Sequence, residues 1–307
     1  MWSVTAAFSG VIWPGSGWLR LLLVSSLLLL NGCAWLDAKQ RQIIYRPTAG
    51  FPTNFSGLRA GDERYFIKLP PAVTPSENAQ STPEPQRIEV WWLPHPNKTA
   101  PTLLYLHGTF RTLFENLHKI EALRNAGFSV LAVDYRGWGL STPITPSEQS
   151  ILQDADLAWA ELQRREPRAA QRVIYGHSMG SGVAVDLASR LQAPGDYGAL
   201  ILESAFTSFS DIAREAGWVT QFLDFFNNER FASLEKISRV HAPLLMIHGT
   251  LDTTVPLQLG QQLFAAANPP KHWLTIEGGA HSDLNRVGQV PYQAALEHFS
   301  RDYLSAQ

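Results

Sequence analysis

The chain has 307 residues, 45% of them hydrophobic and 17% charged, a globular content that excludes wholesale disorder and allows one large domain or two small ones. Twenty-five basic against 27 acidic side chains give a formal charge of −2, so no basic excess neutralises phosphates, which argues against a dedicated nucleic-acid binder. The single cysteine, Cys33, rules out a disulfide framework and a zinc ribbon.

At the N-terminal end, Leu19–Leu30 reads LRLLLVSSLLLL. Its uncharged part, Leu21–Leu30, is ten residues long, short of the ~20 with which a helix spans a bilayer. A charge at Arg20, a short apolar core and small residues at its exit form the pattern of a secretory signal peptide. The exit, Leu30-Asn31-Gly32-Cys33, resembles the lipobox of bacterial lipoproteins, whose cysteine is lipidated and becomes the new N-terminus. Leu30, Gly32 and Cys33 fit that pattern, whereas Asn31 is unusual in its place. The resemblance implies that residues 1–32 are removed, that Cys33 carries lipid, and that residues 33–307 form one domain anchored to a membrane of the bacterial cell envelope. Ala34, standing where an aspartate would favour the inner membrane, points to the outer membrane and the periplasmic side. The alternative is an uncleaved signal anchor in the inner membrane.

Next come short apolar runs rich in β-branched and aromatic residues: Tyr65–Leu69, Ile88–Leu93, Thr102–Leu106, Ser129–Val133, Arg172–Tyr175, Ala199–Leu202, Leu244–Ile247 and His272–Ile276. Several lack polar alternation, as strands buried on both faces do. From the third run on, helical patterns intervene at Phe114–Ala126, Glu148–Arg165, Met179–Leu191, Leu257–Ala267 and Tyr292–Leu304. This alternation implies an α/β fold, a mostly parallel sheet with helices on both faces. Pro70–Gln86 holds five prolines and reads as a surface loop between two antiparallel strands. The stretch at about 205–240 interrupts the alternation and carries Trp218, Phe222, Phe225, Phe226 and Phe231. Phe222, Phe225 and Phe226 share one helical face. Two readings stand: a helix packed on the core, or a short cap over the carboxyl ends of the strands, where open α/β sheets bind ligands.

Arg172–Gly182 reads RVIYGHSMGSG and contains Gly176-His177-Ser178-Met179-Gly180, the G-x-S-x-G pattern, between an apolar strand and a helix. The turn must be sharp enough to strain the backbone at Ser178, and the flanking glycines let strand and helix approach. A serine hydroxyl needs a base, and in this strand–turn–helix setting the order is serine, acid, histidine. Asp252 follows the Leu244–Gly249 strand, and His281 follows the last strand in Gly278-Gly279-Ala280-His281. We assign Ser178 as nucleophile, His281 as general base and Asp252 as its orienting carboxylate. His272 opens a strand and His298 lies in the final helix, while His241, His248, Asp224 and Asp283 miss either the order or the strand end. The oxyanion donors are expected at the amide of Met179 and at Thr109 in the loop after the third strand, with Phe110 as the alternative; His107 reads as structural. This chemistry needs no metal and no organic cofactor, and no G-x-G-x-x-G precedes a helix.

These residues resemble the α/β-hydrolase family over about residues 40–305: LYLHG at 104–108, DYRGWGLS at 134–141, GHSMGSG at 176–182, LESAFTS at 202–208, LMIHGTLDTTVP at 245–256 and GGAHSD at 278–283. With FASLEKISRV at 231–240, the chain is most similar to the BEM46-like serine hydrolases, which include the ABHD13 and ABHD17 groups. The resemblance implies an eight-stranded, mostly parallel sheet with strand 2 antiparallel, a short helical cap, and a triad on Ser178, Asp252 and His281. It differs from many relatives in carrying His107-Gly108-Thr109-Phe110 where they have HGNA-like residues, and the bulk of Phe110 bears on the acyl pocket. Asp134 and Arg136 are expected to pair and pin their loop, with Trp138 structural in it. The implied activity is hydrolysis of a carboxylic ester or thioester through an acyl-enzyme, on a small-molecule or lipid-like substrate with an apolar acyl chain. The alternatives are a peptidase or amidase on the same triad, and a non-catalytic, membrane-tethered binding protein.

Overall fold

A strand covered on both faces has no solvent side, and its sequence loses the alternation of a half-buried strand. Five consecutive strands meet that description, buried along their whole length: β3 (Thr102–Leu106), β4 (Ser129–Asp134), β5 (Arg172–His177), β6 (Ala199–Glu203) and β7 (Leu244–Gly249). The computed structural model describes residues 35–70, 84–217, 220 and 228–304. The expected signal segment 1–32, Cys33 and the aromatics Trp218, Phe222, Phe225 and Phe226 therefore lie outside the described residues. Arg41–Gln307 is one compact unit.

The sheet has eight strands in the order β1-β2-β4-β3-β5-β6-β7-β8, with β1 (Glu63–Lys68) and β8 (Lys271–Ile276) at its edges. β2 (Arg87–Leu93) runs antiparallel to both of its neighbours, and every other pairing is parallel. Successive side chains divide the core into two layers. Leu104, Leu106, Leu131, Val133 and Ile174 join one layer, while Leu103, Tyr105, Val130, Ala132 and Val173 join the other. On the first face lie α2 (Glu148–Arg165), α3 (Met179–Arg190) and α6 (Leu257–Ala266); α1 (Leu117–Asn125) and α8 (Gln289–Leu304) cover the second. Each leucine buried completely in these layers contributes roughly 2–3 kcal/mol of transfer free energy.

Local signals set the helix ends. Ser147 caps α2 by accepting from the Ser150 amide, and Ser150 returns the bond to the Ser147 amide. Two helices differ from expectation. α1 begins at Leu117 rather than Phe114, because residues 112–116 close a turn in which the Asn116 amide bonds to the Thr112 carbonyl. α8 starts at Gln289, upstream of Tyr292, since Pro291 falls in its first turn, where a missing N–H breaks no bond.

The expected Asp134–Arg136 pair does not form. Arg136 instead binds Asp154 on α2, with Nε at 2.7 Å from Oδ1 and its amide at 2.8 Å from Oδ2. Asp134 turns toward the Leu113 amide, 3.0 Å away, and lies 3.3 Å from His107 Nε2. The loop is still pinned, by two acids rather than one internal pair. In the 205–240 stretch, α4 (Phe209–Glu215) and α5 (Ser233–Lys236) are short, and Phe231 is buried against Phe209 and Tyr45. For Phe231 the packing reading holds.

The two outer glycines of the G-x-S-x-G turn are required by contact. A Cβ on Gly180 would fall 2.0 Å from the Leu106 carbonyl oxygen, and one on Gly176 would fall 2.2 Å from that of Gly180. Both obstacles are backbone and cannot swing aside. Gly180→Ala should therefore lower stability by about 2–4 kcal/mol, measured as a shift in the urea midpoint with an unchanged m-value.

Candidate active site

β5 ends at His177 and α3 begins at Met179, so Ser178 alone makes the turn. Its backbone sits at φ 55° and ψ −125°, a conformation that a side chain rarely adopts. Such strain amounts to roughly 1–3 kcal/mol and persists only where the surroundings enforce it. Here the Ser178 amide donates to the Glu203 carbonyl at 3.0 Å, and the Ser181 amide to the Ser178 carbonyl at 2.7 Å. The hydroxyl is thereby aimed away from the helix.

The three residues singled out in the sequence meet. Ser178 Oγ lies 2.8 Å from His281 Nε2, and His281 Nδ1 lies 2.8 and 3.0 Å from the two Asp252 oxygens. All three follow carboxyl ends of strands: β5, β7 and β8. Burial alone would raise the Asp252 carboxyl. Hydrogen bonds from His248 and His281, the latter's charge and the Val255 amide outweigh burial and hold the carboxyl far below the usual carboxylate range. An ionised Asp252 can only accept, so Nδ1 of His281 carries the hydrogen and Nε2 offers its lone pair to the serine hydroxyl. The amides of Thr254 and Val255 also donate to Asp252 Oδ1, at 3.0 and 2.8 Å.

The rival residues fall into other roles. His248 is buried, stacks on Trp273 and donates from Nε2 to the Val255 carbonyl at 3.0 Å. Asp283 accepts from the Ala280 amide at 2.8 Å. His272 binds the Tyr303 hydroxyl at 2.8 Å.

Met179 opens α3, and an amide in the first turn of a helix has no intrahelical acceptor. Thr109 and Phe110 both line a cavity of about 710 Å³ with Ser178 and His281. Gly108 lets their loop close on the nucleophile, since a Cβ there would come within 3.0 Å of Ser178 Cβ. The carbonyl of Thr109 accepts from buried Trp138 Nε1 at 2.8 Å, so Trp138 braces this loop from beneath. Phe110 is 44% exposed, and the Arg46 guanidinium sits 4.9 Å from its ring centre. It flanks the mouth rather than filling it. Arg111, His118 and Arg286 also line the cavity, with Thr253 and Thr254.

Behind Ser178 lies a feature the sequence reading missed. Lys119 on α1 is fully buried and ion-paired with buried Glu203. Glu203 also accepts from the hydroxyls of Tyr175 and Tyr292. Burial pushes this carboxyl up, but the Lys119 charge, then His177 and the hydrogen bonds, hold it at about 2. The only sequence signal was a glutamate at the end of an otherwise apolar strand. Lys119→Met strands that carboxylate and should cost about 3–5 kcal/mol. Lys119→Met with Glu203→Gln should recover part of the loss, as read from urea unfolding of both variants.

Comparison with known proteins agrees with this architecture. The family described as serine aminopeptidase, S33 matches residues 97–234. An uncharacterized protein of Mycobacterium tuberculosis is 32% identical over 269 residues, covering 86% of this chain and 88% of that one. Lysophosphatidylserine lipase ABHD12 of Danio rerio is 36% identical over 225 residues, which are 67% of this chain but 55% of the fish protein. Among solved structures, an esterase of Pyrococcus furiosus superposes with a TM-score of 0.65 at 18% identity, over 84% of this chain and 97% of that one, a likeness of fold.

Proposed function

The chain belongs to the α/β-hydrolase family, in its BEM46-like group, and we propose that it cleaves carboxylic esters or thioesters through an acyl-enzyme on Ser178. The observation that carries this reading is the 2.8 Å contact between Ser178 Oγ and a His281 nitrogen whose ring partner faces Asp252. Ser178 attacks the acyl carbonyl while His281 Nε2 takes the hydroxyl proton. The amide of Met179, with that of Thr109 or Phe110, receives the oxyanion. His281 then protonates the leaving group, and a water activated by the same nitrogen releases the acid.

The cavity supports a substrate with two unlike ends. An acyl chain suits the Phe110 side, and Arg111, His118 and Arg286, set among Glu115 and Asp283, suit a polar, charged head group. The Danio rerio relative, named a lysophosphatidylserine lipase, fits that class. A peptidase is the second reading, favoured by the name of the matching family. Turnover of p-nitrophenyl esters and lysophospholipids, with none of aminoacyl p-nitroanilides, would decide for the esterase; the reverse would decide for the peptidase.

Fluorophosphonate should label the wild type and not Ser178→Ala. Ester kcat should fall by roughly four to six orders of magnitude in Ser178→Ala and by about 10⁴ in Asp252→Asn. An unlabelled wild type would end this reading and favour a binding protein on a hydrolase scaffold.

We also propose that Cys33 is the lipidated N-terminus of the mature protein, at the outer membrane of a bacterial envelope. The supports are the LNGC motif and Ala34 after it. No helix among the described residues is long and apolar enough to cross a membrane. Cys33→Ser should abolish incorporation of an alkyne-tagged fatty acid and release the protein from the membrane pellet. Retention of label would refute the anchor.

A further inference from the structure

The LESAFTS segment and the histidine inside the G-x-S-x-G turn take no part in the proton relay, yet they meet beside it. Glu203 and Ser204 stand at the end of β6. The Glu203 carbonyl holds the Ser178 amide at 3.0 Å. Ser204 Oγ lies 3.1 Å from the main-chain carbonyl oxygen of His281, and His177 Nε2 lies 2.9 Å from that same oxygen. A carbonyl oxygen only accepts, so both groups donate to it. His177 is thus the Nε2–H tautomer, and its Nδ1 is a bare lone pair, buried without a hydrogen-bond partner among the described residues. Burial pushes the His177 imidazole down to about 3, and the Lys119 charge adds to the shift, so the ring stays neutral. Ser204 has φ 50°, a left-handed conformation that places its hydroxyl under the His281 loop.

We propose that Ser204 and His177 are positioning residues for the general base, a two-donor clamp on the His281 main chain that keeps Nε2 on the serine. The proposal rests on the triad reading above. Asp252 grips the far nitrogen of the ring and sets its rotation. It does not hold the His281 main chain itself, which leaves β8 through Gly278 and Gly279; the Leu251 amide on the Gly279 carbonyl and the Ala280 amide on Asp283 hold only the residues before it. The clamp holds the His281 carbonyl directly. Because the neighbouring Glu203 carbonyl holds the Ser178 amide, one dipeptide at the end of β6 ties nucleophile and base to the same strand. This gives the ES pair of LESAFTS a physical role.

The test uses the full chain, with active sites counted by fluorophosphonate titration. His177→Met removes the ring donor at similar size, His177→Gln restores an N–H near the place of Nε2, and Ser204→Ala removes the hydroxyl. Short-chain p-nitrophenyl ester kcat per active site should fall roughly 10-fold in His177→Met and in Ser204→Ala, and about 100-fold in the double variant, with KM within about 2-fold. His177→Gln should regain most of the loss. Nitrogen-15 spectra of the wild type at neutral pH should show the His177 Nε2–H tautomer, a readout that needs no variant to fold. Wild-type-like kcat in His177→Met, no rescue by glutamine, or an Nδ1–H tautomer would overturn the clamp while leaving the triad standing. A wild type that neither labels nor turns over ester would overturn both.

Discussion

One crowded crossing governs the rest of the structure. α3 leaves β5 so close to β3 that the Leu106 carbonyl fills the space a Gly180 side chain would need. That closeness leaves the chain only a single residue in which to turn, and Ser178 takes the left-handed conformation as a consequence. The place of Ser178 in the cavity wall and that of the Met179 amide at the start of α3 follow from the same geometry. The strain is local, and main-chain hydrogen bonds to Glu203 and Ser181 contain it. The geometry at Ser178 is thus a by-product of how tightly a helix packs on a parallel sheet.

Histidines around this turn behave oppositely because their partners differ. His281 faces an ionised carboxylate on one side and a hydroxyl on the other, so it can gain and release a proton between two prepared sites. His177, one residue before Ser178, faces a carbonyl and is fully enclosed, with the Lys119 ammonium nearby. Burial and that charge keep it neutral, so two imidazoles whose ring centres are 5.2 Å apart do not compete for one proton. The buried Lys119–Glu203 pair is charged, but the partners neutralise each other and tyrosine hydroxyls fill the remaining lone pairs. Such a pair gives little net stability, and its removal from one side is severe.

The loop after β3 that carries Thr109 and Phe110 depends on similar indirect support. Trp138 does not line the cavity; its indole N–H holds the Thr109 carbonyl from below. Trp138 is in turn fixed in a loop pinned by Arg136 on Asp154 and, at the β2–β4 end, by the Leu113 amide on Asp134 and the Leu140 amide on Glu89. Two acids at the end of the β2–β4 pair therefore act on the site through packing, without touching a reacting atom.

Much of this was written in the sequence, because buried parallel strands, helix periods and G-x-S-x-G each have a short-range cause. All eight strands and five longer helices were legible from apolar runs and 3.6-residue spacing. Ser178, Asp252 and His281 were legible from their order and their places after strands. The sequence did not reveal which acid Arg136 would bind, because Asp134 is near in the chain whereas Asp154 is near only once α2 lies on the sheet. Nor did it mark Lys119, His177 or Ser204, whose partners lie 84, 104 and 77 residues away along the chain. Local pattern fixes which segments become strands and which residues stand at their ends. Only packing brings distant polar groups into one dry volume, where each must find a partner, and that decided how the site is held.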